Sequence, residues 1–349
     1  MDRPIFLNRR LFTGGAVVAA AALALPSLRA QSRPETTKIS LSVDGKASFG
    51  YLPLTISEQL GYFRAEGLEV GISDFASEAL ALAALQTGAV DVCSGAFEQI
   101  IALQAKGQKY QAFVLQGRAP QMVFGVSSHT MPHYRTVADL KGKKIGVSAL
   151  DSSSSLMAGL VLLQGGLQSG QTSLVAVGSA GGALSALRSG QIDAISNTDP
   201  VMTMLEQGGD VRIISDSRTL KGTAELFGGP MPAACLYASP GFIQKNPNTC
   251  QALTNALVRG LKWLQTAGPH DIIQTVPESY LLGDRALYLT AFDKVRESIS
   301  LDGLIAGDGP LTALKALSRL DASIKPASID LGATYTNAFA SRAKERFRA

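Results

Sequence analysis

The 349-residue chain is poor in the side chains from which reactive and metal sites are usually built: three histidines, three cysteines and one tryptophan. No two cysteines stand in a Cys-x-x-Cys spacing, which excludes a thioredoxin-type redox motif and a zinc ribbon. His129 and His133 are four apart, but Pro132 lies between them and no glutamate follows His129, so the helix-borne zinc-protease pattern fails. There is no Gly-x-Ser-x-Gly elbow and no Gly-x-x-x-x-Gly-Lys-Ser/Thr phosphate loop, and Gly178-Ser179-Ala180-Gly181-Gly182 lacks dinucleotide spacing. Charged residues make up only 17% and aromatics 6%, with no basic stripe interleaved by aromatics. No apolar run reaches the roughly 18 residues a membrane-spanning helix needs. These absences point away from an enzyme, a cofactor, a metal and a nucleic-acid partner.

What is abundant is apolar and small: 46% hydrophobic residues and 35 glycines, the profile of an Ala/Leu/Gly-rich α/β protein. The formal charge of +4 is carried mostly by the first thirty residues, where Arg3, Arg9, Arg10 and Arg29 face only Asp2. The remainder is close to neutral, so no electrostatic case exists for binding nucleic acid or an anionic membrane.

Residues 1–30 have the three-part layout of an export signal: Arg9-Arg10-Leu11-Phe12, an apolar stretch over 13–25, then Pro26 and a short polar exit ending at Ala30. A helix of that stretch would reach about 20 Å, short of a bilayer core of about 30 Å. The paired arginines and the glycine-bearing, weakly hydrophobic core resemble a twin-arginine signal, which implies a periplasmic destination. Cleavage is expected after Ala30, and the first cysteine is Cys93, so no lipoprotein anchor is expected. Cys93 ends an apolar run and reads as a buried thiol; spacing alone leaves open whether Cys235 and Cys250 pair.

The chain repeats itself. Residues 81–95 (ALAALQTGAVDVCSG) recur as 183–197 (ALSALRSGQIDAISN), with seven of fifteen positions identical at an offset of 102. Each copy reads as the end of an amphipathic helix, a glycine C-cap, a turn with an aspartate and a short buried strand ending in serine. This predicts two α/β lobes of one plan, each with a largely parallel sheet. Strands are expected at 38–43, 68–72, 90–94 and 111–115 in the first lobe and at 144–147, 174–177, 192–195 and 211–214 in the second. Helices are expected at 54–63, from 77, at 98–105, 154–163, 183–187 and 200–206. Crossings near 123–128 and 222–232 would form a hinge, followed by a strand at 233–238 and a helix at 251–266. Lobe I thus takes 37–125 and 228–349, and lobe II takes 126–227.

Several blocks carry a resemblance. Tyr51-Leu52-Pro53-Leu54 with Glu58-Gln59-Leu60-Gly61-Tyr62-Phe63-Arg64-Ala65-Glu66-Gly67-Leu68, then Ala84–Gly88 with Asp91, Ala138–Val147, Ser189–Ala194, and Ile329-Asp330-Leu331 with Tyr335-Thr336-Asn337 are similar, in order, to blocks of periplasmic substrate-binding proteins of the nitrate/sulfonate/taurine ABC-transporter group. The resemblance implies a type 2 periplasmic-binding fold. It also implies capture of a small, anionic organic solute (a sulfonate, taurine-like compound, carboxylate or nitrate) and delivery by a monomer to an ABC permease and its ATPase. A pyrimidine-precursor (thiamine pathway) binding protein or enzyme, and a sensory solute receptor, are the rival readings.

In open α/β sheets, ligands gather at the carboxyl ends of the strands. That rule nominates Phe49 and Tyr51 to clamp a solute's apolar part, Ser77 after the second strand, and Ser94 and Gly95 after the third. In lobe II it nominates Asp151, Ser152 and Ser153 at a helix start suited to an oxyanion, and Asn197 and Asp199 after the strand of the second repeat. Asp199-Pro200 also reads as an ordinary helix start. Met231 and Pro232 are candidates for a cleft floor, with core the stronger reading for Met231.

Overall fold

In the computed structural model, the described residues are Met1 and 33–349 except Leu282; the expected export signal lies outside them. Among the described residues no helix is long and apolar enough to cross a membrane.

The chain before the first crossing builds β1 (Lys38–Asp44), α1 (Leu52–Gln59), α2 (Tyr62–Ala65), β2 (Glu69–Phe75), α3 (Glu78–Gln86), β3 (Val92–Ala96), α4 (Phe97–Ala105) and β4 (Gln111–Leu115). Then come β5 (Met122–Ser127), β6 (Lys144–Val147), α5 (Ser153–Gln164), β7 (Ser173–Ala176), α6 (Gly181–Arg188), β8 (Ala194–Thr198), α7 (Val201–Gln207), β9 (Val211–Asp216) and α8 (Leu220–Phe227). The return brings β10 (Ala234–Ala238), α9 (Pro240–Lys245), α10 (Pro247–Thr266), α11 (Pro269–Thr275), α12 (Arg285–Val295), α13 (Gly309–Leu320) and α14 (Ala338–Phe347).

Two five-stranded sheets result, ordered β2-β1-β3-β10-β4 and β7-β6-β8-β5-β9. In each, one strand runs against its neighbours, and it is the first strand laid down after a crossing: β10 pairs antiparallel with β3 and β4, β5 with β8 and β9. The other pairs are parallel. The inner strands β3 and β10 are buried at every residue, whereas edge strand β2 alternates toward solvent.

The internal repeat does the same structural work twice. Gly88 and Gly190 take φ of 75° and 73°, the left-handed turn that lets each helix stop and reverse into a strand. Asp91 accepts from the backbone N–H of Ser40 at 2.8 Å, and Asp193 from that of Lys144 at 3.1 Å, so each ties its turn to the first parallel strand of its lobe.

The crossings differ from the expected ones. They lie at residues 116–121 and 228–233, side by side, with Ala233 N–H donating to Gly117 O at 2.9 Å and Gln116 N–H to Ala234 O at 2.7 Å. Residues 122–125, assigned to lobe I from sequence, belong to β5 in the second sheet, and 220–227 are helix α8 rather than linker. The expected helix over 54–63 is split at Gly61, whose φ of 68° ends α1 and starts α2. Helix α13 does not belong to lobe I alone: it packs on α4 of one lobe and on α5 and α8 of the other. One apolar cluster accordingly runs through Phe97, Phe124, Met157 and Leu314. On the far side of lobe I, α10 buries Leu253, Leu257, Leu261 and Leu264 as its spacing predicts.

Candidate functional site

Three strand ends of each lobe face one another across a crevice. Lobe I presents the segment after β1 (Asp44, Gly45, Ser48, Tyr51), the first turn of α3 (Glu78) and that of α4 (Glu98). Lobe II presents Ser148 to Ser154 after β6, Ser179 after β7, and Asn197 with Thr198 at the end of β8. The crossings close the back through Gly117 to Met122, Ala233 and Ala234. The half-open cavity is about 110 Å³, room for several waters or one small organic molecule. Two larger crevices adjoin it, one of about 450 Å³ that includes Ser77 and Asp74 and one of about 520 Å³ that includes Asp151 and Lys106; Glu78 and Ser152 line all three.

The segments nominated by the strand-end rule line this cavity, with only some of the nominated side chains. Tyr51 lines the cavity and donates its hydroxyl to Asp44 Oδ1 at 3.0 Å. Ser152, Ser153 and Asn197 line it too, while Ser77 caps α3, accepting from Leu80 N–H, at the rim. Asp151 is exposed in the outer crevice.

Four candidates are placed elsewhere. Phe49 is 1% exposed and stacks at 4.8 Å on Tyr288 and 6.1 Å on Phe292 of α12, so its ring is core. Ser94 is buried within β3, accepting from Gln116 Nε2 at 2.8 Å, and Gly95 fits against Tyr237, whose hydroxyl would stand 3.0 Å from an added Cβ. Asp199 is consumed internally: Oδ1 accepts from Thr203 N–H at 2.7 Å and Oδ2 pairs with the buried Arg218 at 3.3 Å. It does not cap the helix in the expected register, since α7 begins at Val201. Met231 is core, as its stronger reading held. Cys93, Cys235 and Cys250 are all buried free thiols, which answers the open question of pairing.

The expected oxyanion site at the start of α5 is corrected as well. Glu78 and Glu98 of lobe I lie beside Ser153 at this helix start, which draws their raised carboxyls back down, so lobe I places its own acids where the oxyanion was expected. The neighbouring hydroxyls are spent on each other: Ser152 and Ser154 Oγ are 2.7 Å apart, Ser148 Oγ lies 3.0 and 2.9 Å from them, and Ser154 Oγ accepts from Ser148 N–H. Asn197 spends its amide on Gly178 O and accepts from Thr198 N–H.

Sequence reasoning missed Asp44, Glu78 and Glu98. Burial pushes the Asp44 carboxyl up to about 6, against the lowering effect of the Tyr51 hydrogen bond and with help from Asp74 and Asp151. Burial also raises Glu78 well above the usual carboxylate range, reinforced by Asp44, Glu98 and Asp151, and raises Glu98. Acids in the first turn of a helix ordinarily read as solvated partners of the helix dipole. Here Glu78 and Glu98 are only 7% and 6% exposed, because lobe II covers them. Among the described residues no cluster of histidine, cysteine and acidic side chains is arranged to hold a metal ion.

A family model described as NMT1/THI5 like matches residues 48–269. A solved structure from Bordetella bronchiseptica RB50 is 52% identical, with 90% of this chain and 99% of that chain covered, at a TM-score of 0.87. The alkanesulfonate-binding protein of Xanthomonas axonopodis pv. citri, bound to MOPS, is similar at 18% identity over 87% and 99% of the two chains, TM-score 0.66. A desulfurization enzyme is similar at 16% identity over 90% and 100%, TM-score 0.63. The last two likenesses establish the fold, which is the two-lobed periplasmic-binding type expected from the sequence.

Proposed function

Because the chain belongs to the NMT1/THI5 like family, we propose that it is an extracytoplasmic solute-binding protein of an ABC import system, exported by the twin-arginine route. Its lobes close over one small organic molecule and hand it, as a monomer, to a membrane permease. The observation that supports this reading is the cavity lined from both lobes at their strand ends and backed by two paired crossings. A ligand that touches both lobes favours the closed arrangement by its differential affinity, which is all that capture requires. Ser148, Ser152 and Ser154 bond to one another and the cavity lining holds no histidine or lysine base, so the site holds a solute without activating a nucleophile.

The test is a thermal-shift screen of residues 31–349 against sulfonates, carboxylates, nitrate, pyrimidines and amines, with the stabilising compound recovered and identified afterwards. A ligand at 100 times its Kd adds about 2.7 kcal/mol of stability, and the proposal expects it back chemically unchanged. Conversion of the compound, or no stabilisation by any class, contradicts it.

A further inference from the structure

We propose that the captured solute is a cation rich in N–H donors, of the ammonium, amidinium or guanidinium class, and not a sulfonate, carboxylate or nitrate. This deepens the solute-receptor reading and rests on it.

Three features of the cavity lead to the same chemistry. Its lining holds the carboxyl groups of Asp44, Glu78 and Glu98 and no lysine or arginine, so a cation finds there the opposite charge that would let these buried groups ionise, whereas an anion finds no opposite charge at all. Several of the donors that could have received an oxyanion are engaged, Ser148, Ser152 and Ser154 with each other and Asn197 with Gly178, which leaves the neutral hydroxyls of Ser48, Ser179 and Thr198 in the lining. The buried side-chain atoms that stand idle are oxygens. Glu78 Oε1 is buried without a hydrogen-bond partner, and so is the side-chain oxygen of Gln121, a residue 3% exposed in the crossing at φ 61°. A buried carboxyl oxygen without a partner is costly, and a cationic N–H donor is the partner that lets the group ionise. A guest bearing N–H groups and a positive charge satisfies both needs at once, and the cavity's size keeps it small.

Calorimetric titration with charge-reversed probes of matched shape decides the matter: acetamidinium against acetate, 2-hydroxyethylammonium against 2-hydroxyethanesulfonate, and longer alkylammonium and benzamidinium probes against alkanesulfonates and benzoate. The proposal expects the cations to bind wild-type protein and the anions not to. Glu78→Gln should weaken cation binding about ten- to a hundredfold, the loss of one charge-assisted hydrogen bond. Asp44→Asn, which keeps an acceptor for Tyr51, should weaken it in the same direction and serves if Glu78→Gln folds poorly. Binding of an anion with the cations inert overturns the charge assignment and leaves the receptor reading standing. Equal cation affinity in wild type and both variants overturns the site assignment, and failure of both classes removes the receptor reading together with the inference.

Discussion

Asp44→Asn should make the protein more stable while removing one of the three carboxyls that line its cavity. The Asp44 carboxyl is raised from 3.8 to about 6, chiefly by burial. Between about pH 4 and pH 6 the folded state therefore holds a proton that the unfolded chain has lost, and stability falls as pH rises through that window. Two pK units correspond to about 3 kcal/mol, a penalty absent below pH 4 and complete above pH 6. Asparagine removes it without losing the acceptor for the Tyr51 hydroxyl, now 3.0 Å from Asp44 Oδ1. It also relieves the repulsion from Asp74, Asp151 and Glu78. Urea unfolding followed by circular dichroism at pH 8 and pH 4 measures the effect. The variant should gain up to about 3 kcal/mol at pH 8 and close to nothing at pH 4. A variant no more stable than wild type at pH 8, or one with the same gain at both values, would refute the reasoning.

Arg218→Met should cost about 3–5 kcal/mol, because it leaves Asp199, with no exposed side-chain surface, as an uncompensated buried charge; a urea midpoint within error of wild type would show that the pair is not the device holding the segment after β9 to the start of α7. All three thiols are buried and free, with burial pushing Cys93 up to about 11 and Cys250 up to about 12. A chromogenic disulfide reagent should find no reactive thiol in the native protein and three in denaturant without reductant, whereas a count of one in denaturant would mean that two are bonded.

Much of the frame is legible in the sequence because it repeats. The glycine at 88 and 190 and the aspartate at 91 and 193 mark equivalent turns, and from them follow two lobes in which strands alternate with helices. The errors share a cause, which is that they depend on partners far along the chain. Phe49 reads as a clamp because nothing near it signals that α12, some 240 residues later, supplies Tyr288 and Phe292 to cover it. Glu78 and Glu98 read as solvated first-turn acids because the covering surface belongs to the other lobe. Helix α8 hides behind the Gly222 and Gly228-Gly229-Pro230 punctuation, although Thr219 caps it at Gly222 N–H and Gly228 ends it at φ 84°. The carboxyls that line the cavity come from β1, α3 and α4, so its acidic lining is a property no single block of sequence carries.

The molecule is held here to be a pair of jaws that moves, and a distance across the gap reads this most directly. Lys109 of lobe I and Ser169 of lobe II are exposed; as cysteines they can carry spin labels while the three native thiols stay protected. Pulsed electron resonance should show a broad, longer distribution for the empty protein and a shorter, narrower one once a stabilising solute is bound. An identical distribution with the solute fully bound would contradict the account.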